Sequence, residues 1–285
     1  MPIRERILSM GITGSGKSYQ WLKLADILLP TKARFRCLDT DNDIPYMLET
    51  QFPQLLPRNG GNVYVHAAID WPDYKLGVAW LQRKPINKDY LELLTPDVRK
   101  DLSIPIKDQD WVVVDMADNA WDTVQRYFTS EVFGEDLGDY FLQMRKLIQQ
   151  RGGKDRHGKV ATSVAPEAFD GWKDWSVMNK LYYDWIHPIV YQIPCHVYAT
   201  TRPERIDKAE KNAEILSLFG GLGVRPAGQK KLGGQMHTIF LMIPGEEKWF
   251  ITTAKDRAGR PYFKKTPLVS LYMQYLVAKA NWPMI

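Results

Sequence analysis

The stretch GITGSGKS, Gly11 to Ser18, carries glycine at its first and sixth positions, lysine at the seventh and a hydroxyl residue at the eighth. That spacing, G-x-x-x-x-G-K-[ST], makes a loop whose backbone N–H groups converge on phosphate oxygens, while the lysine reaches the β- and γ-phosphates and the hydroxyl holds magnesium. In a chain of 285 residues a chance match arises about once in a hundred sequences at ordinary residue frequencies. Arg6 to Met10 reads as a short strand before the loop, and Lys17 to Leu29 as a helix after it, stopped by Pro30. The helix N-terminus adds its own attraction for an anion. ATP and Mg2+ are therefore the expected ligands, with Gly11, Thr13, Gly14, Ser15, Gly16, Lys17, Ser18 and Tyr19 as the nucleotide-contacting set.

The apolar run Trp111 to Val114 closes on Asp115, where an acid at a strand end orders the magnesium shell. Ser18 and Asp115 are the expected metal ligands. Asp118 reads first as the N-cap of a helix over Asn119 to Phe133, with the metal's water network as its other role. Hydrolysis further needs a carboxylate near the γ-phosphate to orient or deprotonate the attacking water. Asp41, with Asp39 as the alternative, follows a second strand, Ala33 to Asp39, whose C-terminal end should neighbour the phosphate loop.

The elements that must position these groups alternate. A third strand, Asn62 to Ile69, leads into a helical pattern over Asp73 to Arg83. Residues Lys84 to Asp110 are polar and proline-bearing and read as an excursion before a central, fully buried strand at Trp111. The segment Arg145 to Lys159, rich in charge and glycine, reads as a mobile loop. Asp174 to Val190 is helical in pattern, and Cys195 to Thr201 reads as another buried strand ending in hydroxyls and Arg202. Glu204 to Gln235 is polar and broken by six glycines. Antiparallel strands are expected at His237 to Ile243, Lys248 to Thr253 and Tyr262 to Lys264, and a closing helix at Leu268 to Ala280. The β-α rhythm implies an α/β fold with a mainly parallel central sheet flanked by helices, finished by C-terminal antiparallel strands. One domain over residues 1–285 is expected, with insertions near 84–110 and 145–167.

Composition narrows the class. A net charge of +5 suits a polyanionic partner without requiring one. The two cysteines, Cys37 and Cys195, lie in apolar stretches, which argues against a disulfide framework and fits a reducing cytoplasm. His66, His157, His187, His196 and His237 show no zinc spacing. Tryptophans 71, 80, 111, 121, 172, 175 and 185 fall at helical or strand spacing and read as core. No stretch approaches the roughly 18 to 20 apolar residues of a membrane span.

With its phosphate loop, acidic turn, the segments WPDYKLGVAWL and VVVDMADNAW, the strand end YATTR and the late TTAKDRAGRP, the chain resembles the RecA-like ATPases. More narrowly, it is similar to the phage-encoded single-strand annealing and recombination ATPases of the Sak group. The resemblance spans Arg6 to about Lys265. It implies that Asp41 activates water and that Thr200, Thr201 or Arg202 senses the γ-phosphate. It also implies that Lys255 and Arg257, in the K-x-R-x-G element, reach a neighbour's ATP in a ring or filament, where fixed cations would stabilise developing charge. The chain departs from the family at Met116, where a small hydroxyl residue commonly follows the acid, and in its insertions.

Single-stranded DNA is the implied partner, met by Arg145, Lys146, Arg151, Lys154, Arg156 and Lys159 in one basic loop and Arg225, Lys230 and Lys231 in another, with Phe219 or Trp172 to stack on bases. The expected function is ATP hydrolysis on single strands in phage-type recombination or annealing, within the host cytoplasm. A hexameric helicase or DNA-packaging motor shares the same parts, and a nucleotide or small-molecule kinase shares the phosphate loop.

Overall fold

The computed structural model describes residues 4 to 150 and 173 to 285. Strand β1 (Arg6–Gly11), buried from Ile7 onward, runs straight into the loop that starts helix α1 (Lys17–Ile27). Strand β2 (Phe35–Asp39), helix α2 (Ile44–Thr50), strand β3 (Val63–Ala67) and helix α3 (Trp71–Leu81) follow. A capping box between Asp70 and Asp73 begins α3, satisfying N–H groups that the helix start leaves without partners. Two short helices, α4 (Lys88–Leu91) and α5 (Pro96–Asp101), precede β4 (Trp111–Asp115). Then come α6 (Ala117–Phe133), α7 (Leu137–Gln150) and α8 (Lys173–His187). The remainder holds β5 (His196–Thr201), β6 (Pro203–Arg205), α9 (Ala213–Phe219), β7 (Val224–Pro226), α10 (Leu232–Gln235), β8 (Thr238–Pro244), β9 (Trp249–Asp256), β10 (Thr266–Leu268) and α11 (Ala278–Ala280).

Eight strands make one sheet in the order β10-β9-β8-β1-β5-β4-β2-β3. From β8 to β3 every pairing is parallel, and β9 and β10 add antiparallel. This is the mainly parallel sheet with antiparallel C-terminal strands that the β-α rhythm implied. Because strand side chains alternate between faces, the sheet feeds two cores. Leu8, Met10, Leu38, Val112, Val114, Val197 and Ala199 pack beneath α3, α6 and α8. Ile7, Phe35, Cys37, Trp111, Val113 and Tyr198 pack on the opposite side, against Trp21, Leu22 and the closing helical segment around Tyr272 and Tyr275. Full burial of one such side chain is worth about 1.5 to 3 kcal/mol. Both faces being covered explains why β4 is apolar at every position before Asp115.

Strands β5 and β4 lie between β1 and β2, yet the turn after β2 still brings Asp41 close enough to act on the Lys17 charge. Several elements differ from the sequence reading. Residues 84–110 are clamped to the sheet rather than loosely appended. The fully buried guanidinium of Arg36 on β2 donates to Asp101 at 2.7 and 2.8 Å and to Asp110 at 2.8 Å. Trp80 and Arg83 add hydrogen bonds to the same Asp101. Arg145 to Gln150 continue helix α7, and residues 151 to 159 of the expected mobile loop lie outside the described residues. Glu204 to Gln235 contains a two-stranded β6-β7 ribbon and two short helices. The last strand is Thr266–Leu268 instead of Tyr262 to Lys264; Phe263 still exchanges backbone and hydroxyl hydrogen bonds with Thr253. The closing helix begins at Leu271. Trp175 is 40% exposed, not core. Among the described residues, no helix is long and apolar enough to cross a membrane.

Candidate nucleotide-binding site

Gly14 and Gly16 take φ values of 77° and 83°, a left-handed backbone that glycine adopts without the penalty of a Cβ. A Cβ on Gly11 would meet Ser15 Oγ at 2.3 Å and Met242 O at 2.7 Å. Ser15 Oγ is itself buried without a hydrogen-bond partner. Lys17 folds back into the loop, its Nζ donating to Gly11 O at 2.8 Å and Ile12 O at 3.1 Å. Burial lowers the Lys17 pKa, although Asp115, then Asp118 and Asp41, pull the other way. Among the described residues no carboxylate pairs with it. A buried ammonium held by carbonyls, beside an orphaned hydroxyl and left-handed glycines, fits an anion.

Asp115 stands fully buried at the end of β4. Its Oδ2 accepts from Trp21 Nε1 at 2.8 Å, and its Oδ1 accepts from Thr200 Oγ1. Thr200, Trp21 and Ser18 each favour its charged form, which makes the two expected metal ligands neighbours, but burial, the largest influence, holds the Asp115 pKa above the usual carboxylate range. No cluster of three or more His, Cys, Asp or Glu able to hold a metal exists among the described residues. That donor set fits magnesium, which takes one or two carboxylates and completes its octahedron with phosphate oxygens and water.

The acidic turn after β2 divides its labour. Asp39 is buried and accepts from the Asn42 N–H at 3.0 Å and the Ile44 N–H at 3.1 Å, which shapes the turn. Asp41 is exposed at the surface of the turn. Burial pushes the Asp39 carboxyl up to about 8, reinforced by the neighbouring Asp41 carboxyl. Burial, followed by Asp115, raises Asp41 as well. Thr40 ties the turn to β4: its N–H donates to Asp115 O at 2.6 Å, its hydroxyl to Met116 O at 2.7 Å, and Asn119 Nδ2 donates to Thr40 O and Oγ1 at 3.2 Å.

A testable consequence concerns pH. With its folded pKa raised, Asp39 binds a proton in the native chain that the unfolded chain has lost, so its contribution to stability falls as pH climbs from near 4 to about 8. Relative to wild type, Asp39→Asn should therefore gain melting temperature progressively over that range. Melting curves at half-unit pH steps measure the difference, and a difference that does not change with pH would mean that Asp39 titrates normally.

Asp118 is not a cap. Helix α6 begins at Ala117, and Asp118 sits buried in its first turn with Oδ2 accepting from Arg202 Nε. Arg202 also donates to Asn119 Oδ1 at 2.8 Å. The three candidates at the end of β5 thus separate. Thr200 touches Asp115, Thr201 bonds Arg202 O and Ala227 O, and Arg202 pairs with Asp118.

Beyond Asp118 opens a cavity of about 770 Å³ between α6, α8 and the β6-β7 ribbon, lined by Arg202, Arg225, Lys230, Lys231, Trp121 and Trp175 among others. Trp121 and Trp175 stack with centroids 5.9 Å apart. The second basic loop is partly engaged: Arg225 pairs with Glu204 at 2.8 Å and Lys230 with Glu210 at 3.1 Å. Phe219 is buried against Gly233 and offers no surface for stacking on a base. Arg145 and Lys146 are exposed on α7. Arg151, Lys154, Arg156, Lys159, His157 and Trp172 lie outside the described residues.

Lys255 and Arg257 lie at the opposite edge of the sheet from the phosphate loop. β9 runs antiparallel to β8, with Lys255 beside Ile239 and the Arg257 N–H on His237 O, while the His237 N–H donates to Arg6 O. Arg6 is five residues before Gly11 on β1, about 17 Å along a strand. Lys255 Nζ donates to Gly233 O at 2.7 Å and Arg257 to Gly234 O at 2.7 Å. Burial, then Arg257, pushes Lys255 down to about 8. Arg6 joins this group through a 2.9 Å hydrogen bond to the His237 ring.

Two contributors escaped the sequence reading. Trp21 lies four residues after Lys17, a spacing that puts both on one helix face and was available as a signal. Trp249, which touches the phosphate loop, had no local signal, because only the sheet order brings it there.

No protein-family model matches the chain. No curated protein matches it either. Among solved structures, the chain is similar to the RadB recombinase at 11% identity and a TM-score of 0.44, with 92% of this chain and 85% of that one covered. It is also similar to the KaiC-like protein PH0186 from the hyperthermophilic archaeon Pyrococcus horikoshii OT3, at 11% identity and a TM-score of 0.45, with 92% of this chain and 83% of that one covered.

Proposed function

We propose that this chain is an oligomeric RecA-like ATPase that hydrolyses ATP with Mg2+ and works on single-stranded DNA in phage-type recombination or annealing, in the manner of the Sak group and in the host cytoplasm. The observation that carries the reading is the buried, unpaired Lys17 in a loop of left-handed glycines, facing the Ser18–Asp115 pair. In this reading Lys17 neutralises the β- and γ-phosphates, and Ser18 and Asp115 hold magnesium. Magnesium, when bound, supplies charge neutralisation on the phosphate oxygens. Asp41, at the surface of the turn with its pKa raised by partial burial and by Asp115, is the carboxylate that takes a proton from the attacking water. Asp39 acts through Asp41 and the turn. Thr200 fixes the Asp115 carboxylate. Lys255 and Arg257, far from their own loop, serve the ATP of a second copy.

The cavity beyond Asp118 supports a DNA partner. It sets stacked indoles beside Lys231 and the carboxylate-paired Arg202, Arg225 and Lys230, aromatic faces and cations of the kind that bind single strands without sequence preference. Arg202 links that cavity to Asp118 and hence to the nucleotide side.

ATP turnover measured with and without single-stranded DNA tests the whole reading. Stimulation by DNA is expected, with strand binding that weakens steeply as salt rises. Basal turnover that DNA leaves unchanged, together with no strand binding at low salt in the presence of an ATP analogue, would reject the recombination role and favour a kinase. Duplex unwinding or translocation in the same assays would point to the motor class instead.

A further inference from the structure

Trp249, the first residue of β9, is bolted to the outside of the phosphate loop. Its Nε1 donates to Gly14 O at 2.9 Å. The fused-ring atoms Cδ2, Cε2 and Cε3 lie so close to Gly16 that a Cβ there would meet them at 2.7 to 3.0 Å. Tyr19, on the first turn of α1 directly after Ser18, stands with its ring centroid 5.0 Å from that of Trp249, and Phe52 stands 5.4 Å from Tyr19 on the other side. Phe52 is buried, whereas Trp249 and Tyr19 are both half-exposed.

The phosphates belong inside the loop, where the N–H groups converge and Lys17 reaches Gly11 O and Ile12 O. A ribose and base attached to those phosphates lie outside that cradle, and one outer side of it runs along Gly14, Gly16 and the first turn of α1. That side is walled by the Trp249 and Tyr19 rings. A half-exposed indole fixed by a hydrogen bond loses little freedom on binding a flat partner, and aromatic faces stack on bases.

We propose that Trp249, with Tyr19 beside it, is a nucleoside-binding residue that seats the ring of a purine nucleotide against the phosphate loop. The inference rests on the loop binding a nucleotide and adds the residue that discriminates a nucleoside triphosphate from bare polyphosphate. β9 then has a role at each end, since Lys255 stands at its far terminus.

The test compares the affinities of ATP and inorganic tripolyphosphate, each with Mg2+, for wild type, Trp249→Ala and Trp249→Phe. Trp249→Ala should weaken ATP about 5- to 100-fold, the range of one lost base stack, with tripolyphosphate within twofold of wild type. Trp249→Phe keeps a ring and should retain most of the ATP affinity. If Trp249→Ala leaves ATP within twofold, or weakens ATP and tripolyphosphate equally, Trp249 only props the loop and the proposal is wrong. Wild-type protein that binds neither ligand removes the nucleotide reading itself, a distinct outcome that takes the proposal with it. Should Trp249→Ala fail to fold, the wild-type order ATP, UTP, tripolyphosphate, from tightest to weakest, is the expected result. Equal affinities for the three would overturn it.

Discussion

Lys17→Ala is expected to cut ATP turnover by at least about a hundredfold, the scale seen when a single positioned transition-state donor is removed, without destabilising the ligand-free protein. The second half of that expectation comes from the electrostatics. Burial lowers the Lys17 pKa, so at neutral pH the folded chain bears a cost for the charge that the unfolded chain does not. Removing the ammonium lifts that cost, offset by two lost hydrogen bonds to Gly11 O and Ile12 O. The melting temperature without ligand should match or exceed that of wild type, and the rise produced by Mg2+ and ATP in wild type should vanish. Wild-type turnover in the variant would sink the phosphate-loop assignment. A variant that melts far below wild type without ligand would instead mean that Lys17 is a structural residue.

The second large effect is a gain of activity on mixing two dead proteins. Arg257→Ala keeps its phosphate loop and lacks one cation of its K-x-R element, whereas Lys17→Ala keeps Lys255 and Arg257 but cannot bind the triphosphate. Within one chain these groups cannot meet, because β9 carries Arg257 to the level of Arg6, at the far end of β1 from Gly11. In a head-to-tail assembly each phosphate loop faces a neighbour's hairpin, so an equal mixture places an intact loop against an intact hairpin at about one junction in four. Turnover recovering towards a quarter of wild type, from two preparations each near zero, is the expected result. No recovery under conditions where the subunits demonstrably exchange would show that Lys255 and Arg257 do not complete a neighbour's site. Full wild-type turnover by Arg257→Ala alone would show that the arginine is not needed at all.

Much of this site could be read without coordinates because its chemistry is local in sequence. Gly11 to Ser18 dictates its own backbone: left-handed turns need glycine at 14 and 16, and the helix start supplies the N–H groups. The place of Asp115 at a strand end was legible because a five-residue strand, buried on both faces, is apolar up to its last residue. The alternation of strand and helix likewise sufficed for a mainly parallel sheet, since short β-α units close in one way. Trp21 lay within reach of the same logic, four residues along the helix from Lys17.

What only the tertiary structure decided was every relation between residues distant along the chain. The cap reading of Asp118 gave way to its pairing with Arg202, 84 residues away. Residues 84–110 looked like an excursion, because nothing in their composition announces that Asp101 and Asp110 neutralise a guanidinium buried on β2. The assignment of Asp39 to the turn and Asp41 to the surface depends on which carboxylate meets the Asn42 and Ile44 N–H groups. The distance of Lys255 and Arg257 from their own phosphate loop, and the contact of Trp249 with it, both follow from β9 pairing antiparallel to β8 in one register. Hydrophobic periodicity specifies which face of a strand is buried, but strand order and register are chosen by the sum of many long-range contacts, and no local window of sequence contains that sum.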